Sequence, residues 1–457
     1  MADPRAPQGA GARSPGHDPW GPTVAGGSRH RLLRHLLASL LIGSLVAGAA
    51  VTTTGALLLQ QGDAHLTRVP VAGLDQAQAA SGEVDGQEPT GAPRATARHF
   101  LVVGSDSREG LDDEELRDLR LGDFGGQRSD TMLYVAISED REHVSIVSLP
   151  RDLLVMDGGQ ARKLTDTFAD GPAELVRMIR QSLGLPVNHY AHVSIVGFLE
   201  VVRTLGTVRV CLDDPLRDPK SGADFSAGCH DMDEVEALSY VRSRRGSRGD
   251  FDRIERQQTF VKAVLDELTA ARVLVDPRRL FRLVEDVASN VTTDEQLRMT
   301  TALSLADELR SVVGGGVPMA TVPGYPRTID GVYYIVPYGP GARAMFEDLR
   351  EGRPLPDRGT LEDREEAEVV VFSGGRDGAE AVRATLELAG FPAFTSGRGP
   401  ERLDAGATTT IHATPGNEDA AELVAAVLRA PVRTLPAGVD VPGDAVVVVA
   451  VGDDATG

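Results

Sequence analysis

The stretch from Arg242 to Gln257 carries six arginines against three acids, a local charge of +3 in a chain of −20. Other charged clusters sit where apolar runs begin or end. Ser105-Asp106-Ser107-Arg108 follows the run that closes at Gly104. Arg128-Ser129-Asp130 leads directly into a second run, and Pro150-Arg151-Asp152 follows a third. Lys163-Leu-Thr-Asp166 comes next. Two carboxylates near strand ends can hold one Mg²⁺ through oxygen ligands, and Mn²⁺ accepts the same donors. Arginine forks match phosphate oxygens in pairs, and lysine adds a point charge. Phosphoryl transfer asks for positioning and charge neutralisation more than for covalent chemistry from the protein. The set reads as a metal-assisted site for a diphosphate ester. Each piece also has a plainer reading. An Asp after a strand can be a turn or cap residue, Pro150-Arg151-Asp152 can be a turn, and an arginine run can be a solvated face.

The elements that would position these residues follow from hydrophobic pattern. Phe100–Gly104, Thr131–Ile137 and His143–Leu149 read as strands, with Glu139–Glu142 as the turn between the last two. His189–Ile195 alternates like a strand. Residues 173–183, 253–270, 277–288 and 300–313 read as helices. Strands mixed with helices over 98–350 imply an α/β fold, a mixed sheet with helices on both faces. A polar stretch, 351–366, reads as a linker to a C-terminal unit over 367–454. There, strands at Glu368–Phe372, Thr408–Ala413 and Ala445–Val451 alternate with helices to about Ala389 and over Glu418–Leu428. That pattern gives a small α+β domain.

Composition removes several classes. The 47 Lys+Arg against 67 Asp+Glu argue against nucleic acid as a partner, because phosphate backbones need a basic face. Of the cations only Lys163, Lys220 and Lys262 are lysines, and none ends a glycine-rich phosphate loop. Two cysteines cannot build a four-ligand zinc site. No Gly-x-Ser-x-Gly elbow and no His-Glu-x-x-His occurs.

The N-terminal third addresses the compartment. Residues 1–35 read as a disordered tail. Leu36 to Leu59 gives 24 residues without charge, a helix of about 36 Å, enough to cross a bilayer. Arg29, Arg31 and Arg34 precede it, so the N-terminus should stay cytoplasmic and the bulk should face outward. The rival is a cleaved signal peptide with Ala47-Gly48-Ala49 at its processing site. Residues 60–97 read as a linker. Outside the cytoplasm disulfides persist, and Cys211 and Cys229 stand 18 apart in an Asp-, Pro- and Gly-rich stretch, so they are expected to pair.

Five segments carry a resemblance. Leu101-Val-Val-Gly-Ser-Asp-Ser-Arg108, Arg128-Ser-Asp-Thr-Met132, Val147-Ser-Leu-Pro-Arg-Asp152, Lys163-Leu164, and Tyr240-Val-Arg-Ser-Arg244 with Asp250-Phe-Asp-Arg253-Ile-Glu-Arg-Gln-Gln258 together resemble the LytR–CpsA–Psr family, in order and in spacing. The resemblance covers about residues 98–350 and implies a glycopolymer transferase. Its substrates would be a polyprenyl-pyrophosphate-linked glycan and peptidoglycan, joined by a phosphodiester to the muramic acid 6-hydroxyl. It also implies residue roles. Asp106 and Asp130 become metal ligands. Arg128, Arg151, Lys163, Arg242, Arg244, Arg253 and Gln257 become diphosphate binders, and Asp250 orients the arginines. Val193, Ile195, Phe198, Leu199 and Val264 become candidates to line an apolar tunnel for the lipid tail. Thr165–Pro172 departs from the small residues and glycine pair usual after the lysine, and Asp233-Glu234 replaces Asp-Gly. The C-terminal unit resembles a domain often appended to actinobacterial members. Two other functions use the same residues: a non-catalytic scaffold that binds a lipid diphosphate, and a pyrophosphatase that releases the glycan to water. The carboxylate pair speaks against the scaffold, since holding a diphosphate needs cations more than a metal seat.

Overall fold

The computed structural model describes residues 67–74, 97–106, 116–117, 119, 129–269, 291–298, 317–372, 378–397, 403 and 406–456. The chain divides into Met1–Leu58 and Leu59–Gly457, and the described residues all belong to the second unit. The expected tail, the anchor over 36–59, Arg128 and the helices at 277–288 and 300–313 lie outside the described residues. Asp130 is described as a strand position only. Among the described residues no helix is long and apolar enough to cross a membrane.

A seven-stranded mixed sheet carries the larger part. Its strands are β1 (Thr67–Val69), β2 (Arg98–Ser105), β3 (Ser129–Ile137), β4 (Val144–Ser148), β7 (His189–Val193), β12 (Val291–Asp294) and β13 (Met319–Thr321). They stand in the order β1-β12-β7-β2-β3-β4-β13. β3 and β4 form the expected hairpin, β2 adds to it antiparallel through β3, and β2 pairs β7 in parallel. Alternation sorts their side chains. Leu101, Val103, Met132, Tyr134 and Val147 enter one core, and Phe100, Leu133, Val135, Ile137 and Ile146 enter another. The first core is covered by helices α1 (Leu164–Ala169) and α2 (Pro172–Met178), and by α6 (Gly339–Glu351). Against the second pack Val261 and Leu265 of α5 (Asp250–Thr269).

Two short segments extend the sheet beyond the sequence reading. β1 lies in the stretch read as a linker, where it pairs β12 in parallel, and Val71 and Leu74 after it are buried. Three extended residues followed by a Pro offer too little pattern to announce an edge strand. His189–Ile195 yields its end to a helix: β7 stops at Val193, and Ser194 caps α3 (Ile195–Leu205) by accepting from the Gly197 N–H at 3.2 Å.

Around the sheet lie smaller ribbons. β5 (Leu154–Asp157) and β6 (Gln160–Lys163) form a hairpin, as do β14 (Gly324–Ile329) and β15 (Val332–Pro337). β9 (Leu216–Asp218) pairs β10 (Ala223–Phe225), and β8 (Val208–Leu212) pairs β11 (Gly228–Met232). In the last pair Cys211 and Cys229 stand opposite each other and are joined by a disulfide. α4 (Glu234–Arg242) follows, started by a capping box of Asp233 and Glu236.

The C-terminal sheet runs β17-β16-β20-β18-β19, built from β16 (Val369–Phe372), β17 (Ala393–Ser396), β18 (Thr410–Ala413), β19 (Val432–Thr434) and β20 (Val447–Ala450). Only β18 and β20 are antiparallel neighbours. Helices α8 (Ala379–Leu388) and α9 (Glu418–Leu428) cover one face. The 351–366 stretch, read as a linker, is packed: it contains the short helix α7 (Leu361–Glu365) and buries Leu355 and Arg364. Tyr338, ahead of α6, is buried in the C-terminal core, so the two sheets share packing.

Candidate functional site

Three of the polar clusters, those of Arg151, Lys163 and the arginine run, gather around the N-terminus of α5. That helix begins at Asp250, and three cations turn toward its carboxylate. Arg253 approaches to 3.0 Å, Arg244 to 3.5 Å and Arg151 to 3.7 Å. The helix dipole and these charges both favour an anion there. Arg253 is almost fully buried, with 3% of its side chain exposed, whereas Arg244 keeps 47% exposed. The first holds Asp250 from inside, and the second can swing outward onto a ligand.

Arg151 and Lys163 are joined by a residue outside the proposed set. Asp152 accepts an ion pair from Lys163 Nζ at 2.8 Å and from Arg151 Nε at 3.5 Å. Backbone bonds hold this corner. Thr165 N–H donates to the Arg151 carbonyl, Leu164 N–H to that of Leu153, and Ile335 N–H to that of Asp152, each at 2.9 Å. Two residues before Ile335, the Tyr333 ring is 46% exposed. Burial pushes its hydroxyl pKa up, and the charges of Asp152 and Asp250 push the same way, which places the ring beside the site.

The loop between α4 and α5 has its own frame. Asp252, buried, accepts from the Arg248 N–H at 2.8 Å and from Arg248 Nε at 2.9 Å. Arg256 donates to the Ser243 carbonyl at 3.0 Å and to the Arg245 carbonyl. Asp218 receives the Ser243 hydroxyl at 2.9 Å. Burial opposes the charge on Asp218, but this bond and three backbone N–H donors hold its pKa below the ordinary range.

Arg151, Lys163, Arg244, Asp250 and Arg253 therefore share one surface. Arg242 instead donates to the Leu119 carbonyl at 3.1 Å, and Gln257 donates to the Val241 carbonyl at 3.4 Å. Asp106 follows the last residue of β2, and Asp130 is the second residue of β3. Pairing of Ser105 with Ser129, after an irregularity at Gly104, brings the two positions to one end of adjoining strands. Aspartate is the residue type whose hard oxygens suit Mg²⁺ or Mn²⁺. Of the apolar candidates, Ile195 and Leu199 are buried in one cluster, with Phe198 and Val264 packed against it. Val193 is half-buried at the end of β7.

Asp152, Asp252 and Arg248 are functional neighbours that the sequence reading passed over. Asp152 and Asp252 were visible as members of the quoted motifs. Only the fold shows that they hold cations in place.

A mixed sheet with packed helices and arginines collected at a helix start define an α/β protein with a cationic cluster at one helix N-terminus. The LytR_cpsA_psr family profile matches residues 71–351. A cell wall biosynthesis protein LcpA from Corynebacterium glutamicum is 30% identical over 359 residues, covering 67% of this chain and 68% of that protein. A probable cell wall biosynthesis protein LcpB from the same organism is 33% identical, covering 52% and 58%. A polyisoprenyl-teichoic acid–peptidoglycan teichoic acid transferase TagU from Halalkalibacterium halodurans is 29% identical, covering 43% and 61%. The match thus spans about three fifths of the length of the latter two. A LytR-Csp2A-Psr enzyme from Actinomyces oris aligns with a TM-score of 0.48 at 24% identity, over 63% of this chain and 96% of that one. The chain belongs to the LytR_cpsA_psr family.

Proposed function

We propose that this protein is a cell-envelope glycopolymer transferase. It moves a glycan phosphate from a polyprenyl pyrophosphate carrier to peptidoglycan, as a phosphodiester to the muramic acid 6-hydroxyl. The observation that carries this reading is the convergence of Arg151, Arg244 and Arg253 on Asp250, with Lys163 paired to the adjoining Asp152. Three cations around one carboxylate leave net positive charge preset for a diphosphate. The transferase name of TagU and the cell-wall names of LcpA and LcpB support the same class of substrate.

Arg244 and Arg151 grip the diphosphate oxygens, while Arg253 and Asp250 keep the guanidiniums splayed. The acceptor hydroxyl oxygen attacks the sugar-proximal phosphorus, its proton passes to a nearby carboxylate, and the bond from that phosphorus to the bridging oxygen breaks. Polyprenyl phosphate leaves, and its new charge falls on the arginine and lysine shell. Asp106 and Asp130 would hold the Mg²⁺ or Mn²⁺, which supplies further charge neutralisation when bound. In this reading residues 36–59 anchor the chain in the cell membrane by a single pass, and the catalytic part works outside the cytoplasm.

The test incubates the full chain in detergent with a synthetic polyprenyl pyrophosphate glycan, Mg²⁺ and peptidoglycan fragments, beside Asp250→Ala and Arg244→Ala. Phosphodiester-linked product that both variants lose is the expected result. Release of free phosphoglycan without linkage would replace transfer by hydrolysis. Lipid binding without turnover, under every acceptor and metal tried, would replace it by a scaffold.

A further inference from the structure

The site's arginine loop is held on its outer side by the C-terminal part of the chain. Glu255 stands on α5 one turn beyond Asp252, the carboxylate that folds the loop around Arg248. It receives Arg364 Nη2 at 2.8 Å and lies 3.8 Å from Arg248 Nη1. Arg364 belongs to α7 and keeps only 8% of its side chain exposed. Its other nitrogen donates to the carbonyls of Arg358 and Gly359 at 3.1 and 3.0 Å. A capping box of Thr360 and Asp363 fixes the helix that carries it. Gly390, which follows α8, completes the contact. Its φ of +101° calls for glycine, and a Cβ there would lie 2.7 Å from Leu361 Cδ1 and 3.3 Å from both Arg248 Nη1 and Arg364 Nε, so the two guanidiniums and α7 pack against its bare backbone.

The charges explain why Glu255 matters. Arg358 is half-buried beside Arg364 and Arg429, and Glu255 opposes their repulsion, as Asp348 does through its ion pair with Arg429. Arg358, Arg364 and Arg429 each keep a buried Nε–H with no acceptor among the described residues. An interface this rich in cations closes only around its acids.

We propose that Glu255 and Arg364 are positioning residues, through which the C-terminal unit sets the loop that presents Arg244 and Asp250 to the diphosphate. This rests on the transferase reading for its ligand, but not for its geometry. The segment that leads into the appended domain is then part of the catalytic architecture rather than a spacer. The residues act in series: Arg364 on Glu255, Glu255 on Arg248, Arg248 on Asp252, and Asp252 on the loop.

The test uses the full chain in detergent and variants Glu255→Gln, Arg364→Met, Arg248→Met and the Arg364→Met/Arg248→Met pair. Two readouts are taken on variants that melt cooperatively. The first is hydrogen exchange of residues 243–250 without ligand. The second is the affinity for geranylgeranyl pyrophosphate by titration calorimetry. Faster exchange in Glu255→Gln and Arg364→Met, with affinity about tenfold weaker, is expected. The double variant should be no weaker than Arg248→Met alone, because residues in series do not add. In turnover the lipid KM should rise while kcat holds. Wild-type exchange and affinity in both single variants would overturn the proposal. If Arg364→Met does not fold, Arg364→Lys, which keeps the charge and loses the fork, is read in its place. A wild-type chain that binds no diphosphate sinks the transferase reading, and the exchange data still decide the clamp.

Discussion

Replacing Gly246 with alanine should open the arginine loop, and the size of the effect follows from the geometry. Gly246 has φ +144°, and a Cβ built there would sit 2.2 Å from Oδ2 of Asp252. That oxygen accepts the Arg248 N–H at 2.8 Å, so it cannot retreat without releasing the loop. Backbone strain at such a φ costs roughly 1–3 kcal/mol. Losing charge-assisted bonds to a buried carboxylate costs about 1.5–3 kcal/mol more. The combined loss should be about 3–5 kcal/mol, with weaker diphosphate binding because Arg244 and Asp250 flank the loop. Gly249 supplies the control. It also has positive φ, +60°, but a Cβ there meets nothing within 4 Å. Gly249→Ala should cost only the left-handed conformation, about 1–2 kcal/mol. Urea unfolding by circular dichroism and diphosphate titration on both variants make the comparison. Equal losses at the two positions would refute the steric argument, because conformation alone would then account for both.

Other perturbations probe separate parts of the chain. Asp250→Asn leaves Arg151, Arg244 and Arg253 facing one another and should abolish diphosphate-dependent turnover while lowering the melting temperature, both measurable on one preparation. His99 and His412 are buried, and burial lowers both ring pKa values from about 6.5. The unfolded chain therefore takes up protons that the folded chain refuses. Stability should fall as pH drops below about 6.5, by at most about 1.4 kcal/mol per unit for each ring. Unfolding at pH 7.5 and 5.5, with His99→Gln as comparison, checks the sign: a stability that rises on acidification would contradict it. Reducing Cys211–Cys229, which closes an 18-residue separation, should cost about 3 kcal/mol, seen as an earlier melt in dithiothreitol.

Much of this fold was legible because its central strands are short apolar runs buried on both faces and its long helix is amphipathic. β2, β3, β4 and α5 follow from those patterns, and so does the placing of Arg151 and Asp250 at their ends. What escaped depends on partners far away in sequence. β1 is a strand because β12 lies beside it, and Arg364 is buried because Glu255 draws it in. Nothing in Leu-Glu-Asp-Arg364 itself distinguishes it from a solvated turn. Arg242 and Gln257 carry motif types, yet their amide and guanidinium groups face backbone carbonyls in this structure. Side-chain direction at a helix end is set by the packed neighbours, which spacing alone does not contain.

The strand order has a consequence for how the protein is made. Thr67 pairs Thr292, and β12 must slide between β1 and β7 before the sheet is whole. The opposite edge waits longer still, since Met319 pairs Ile146. A chain emerging from its N-terminus therefore holds β7 and β4 with open edges until nearly the whole large domain has arrived. Open edges invite pairing with other chains. Slow or interrupted synthesis between β7 and β13 should then be the step at which this protein aggregates, and the step a chaperone would have to cover.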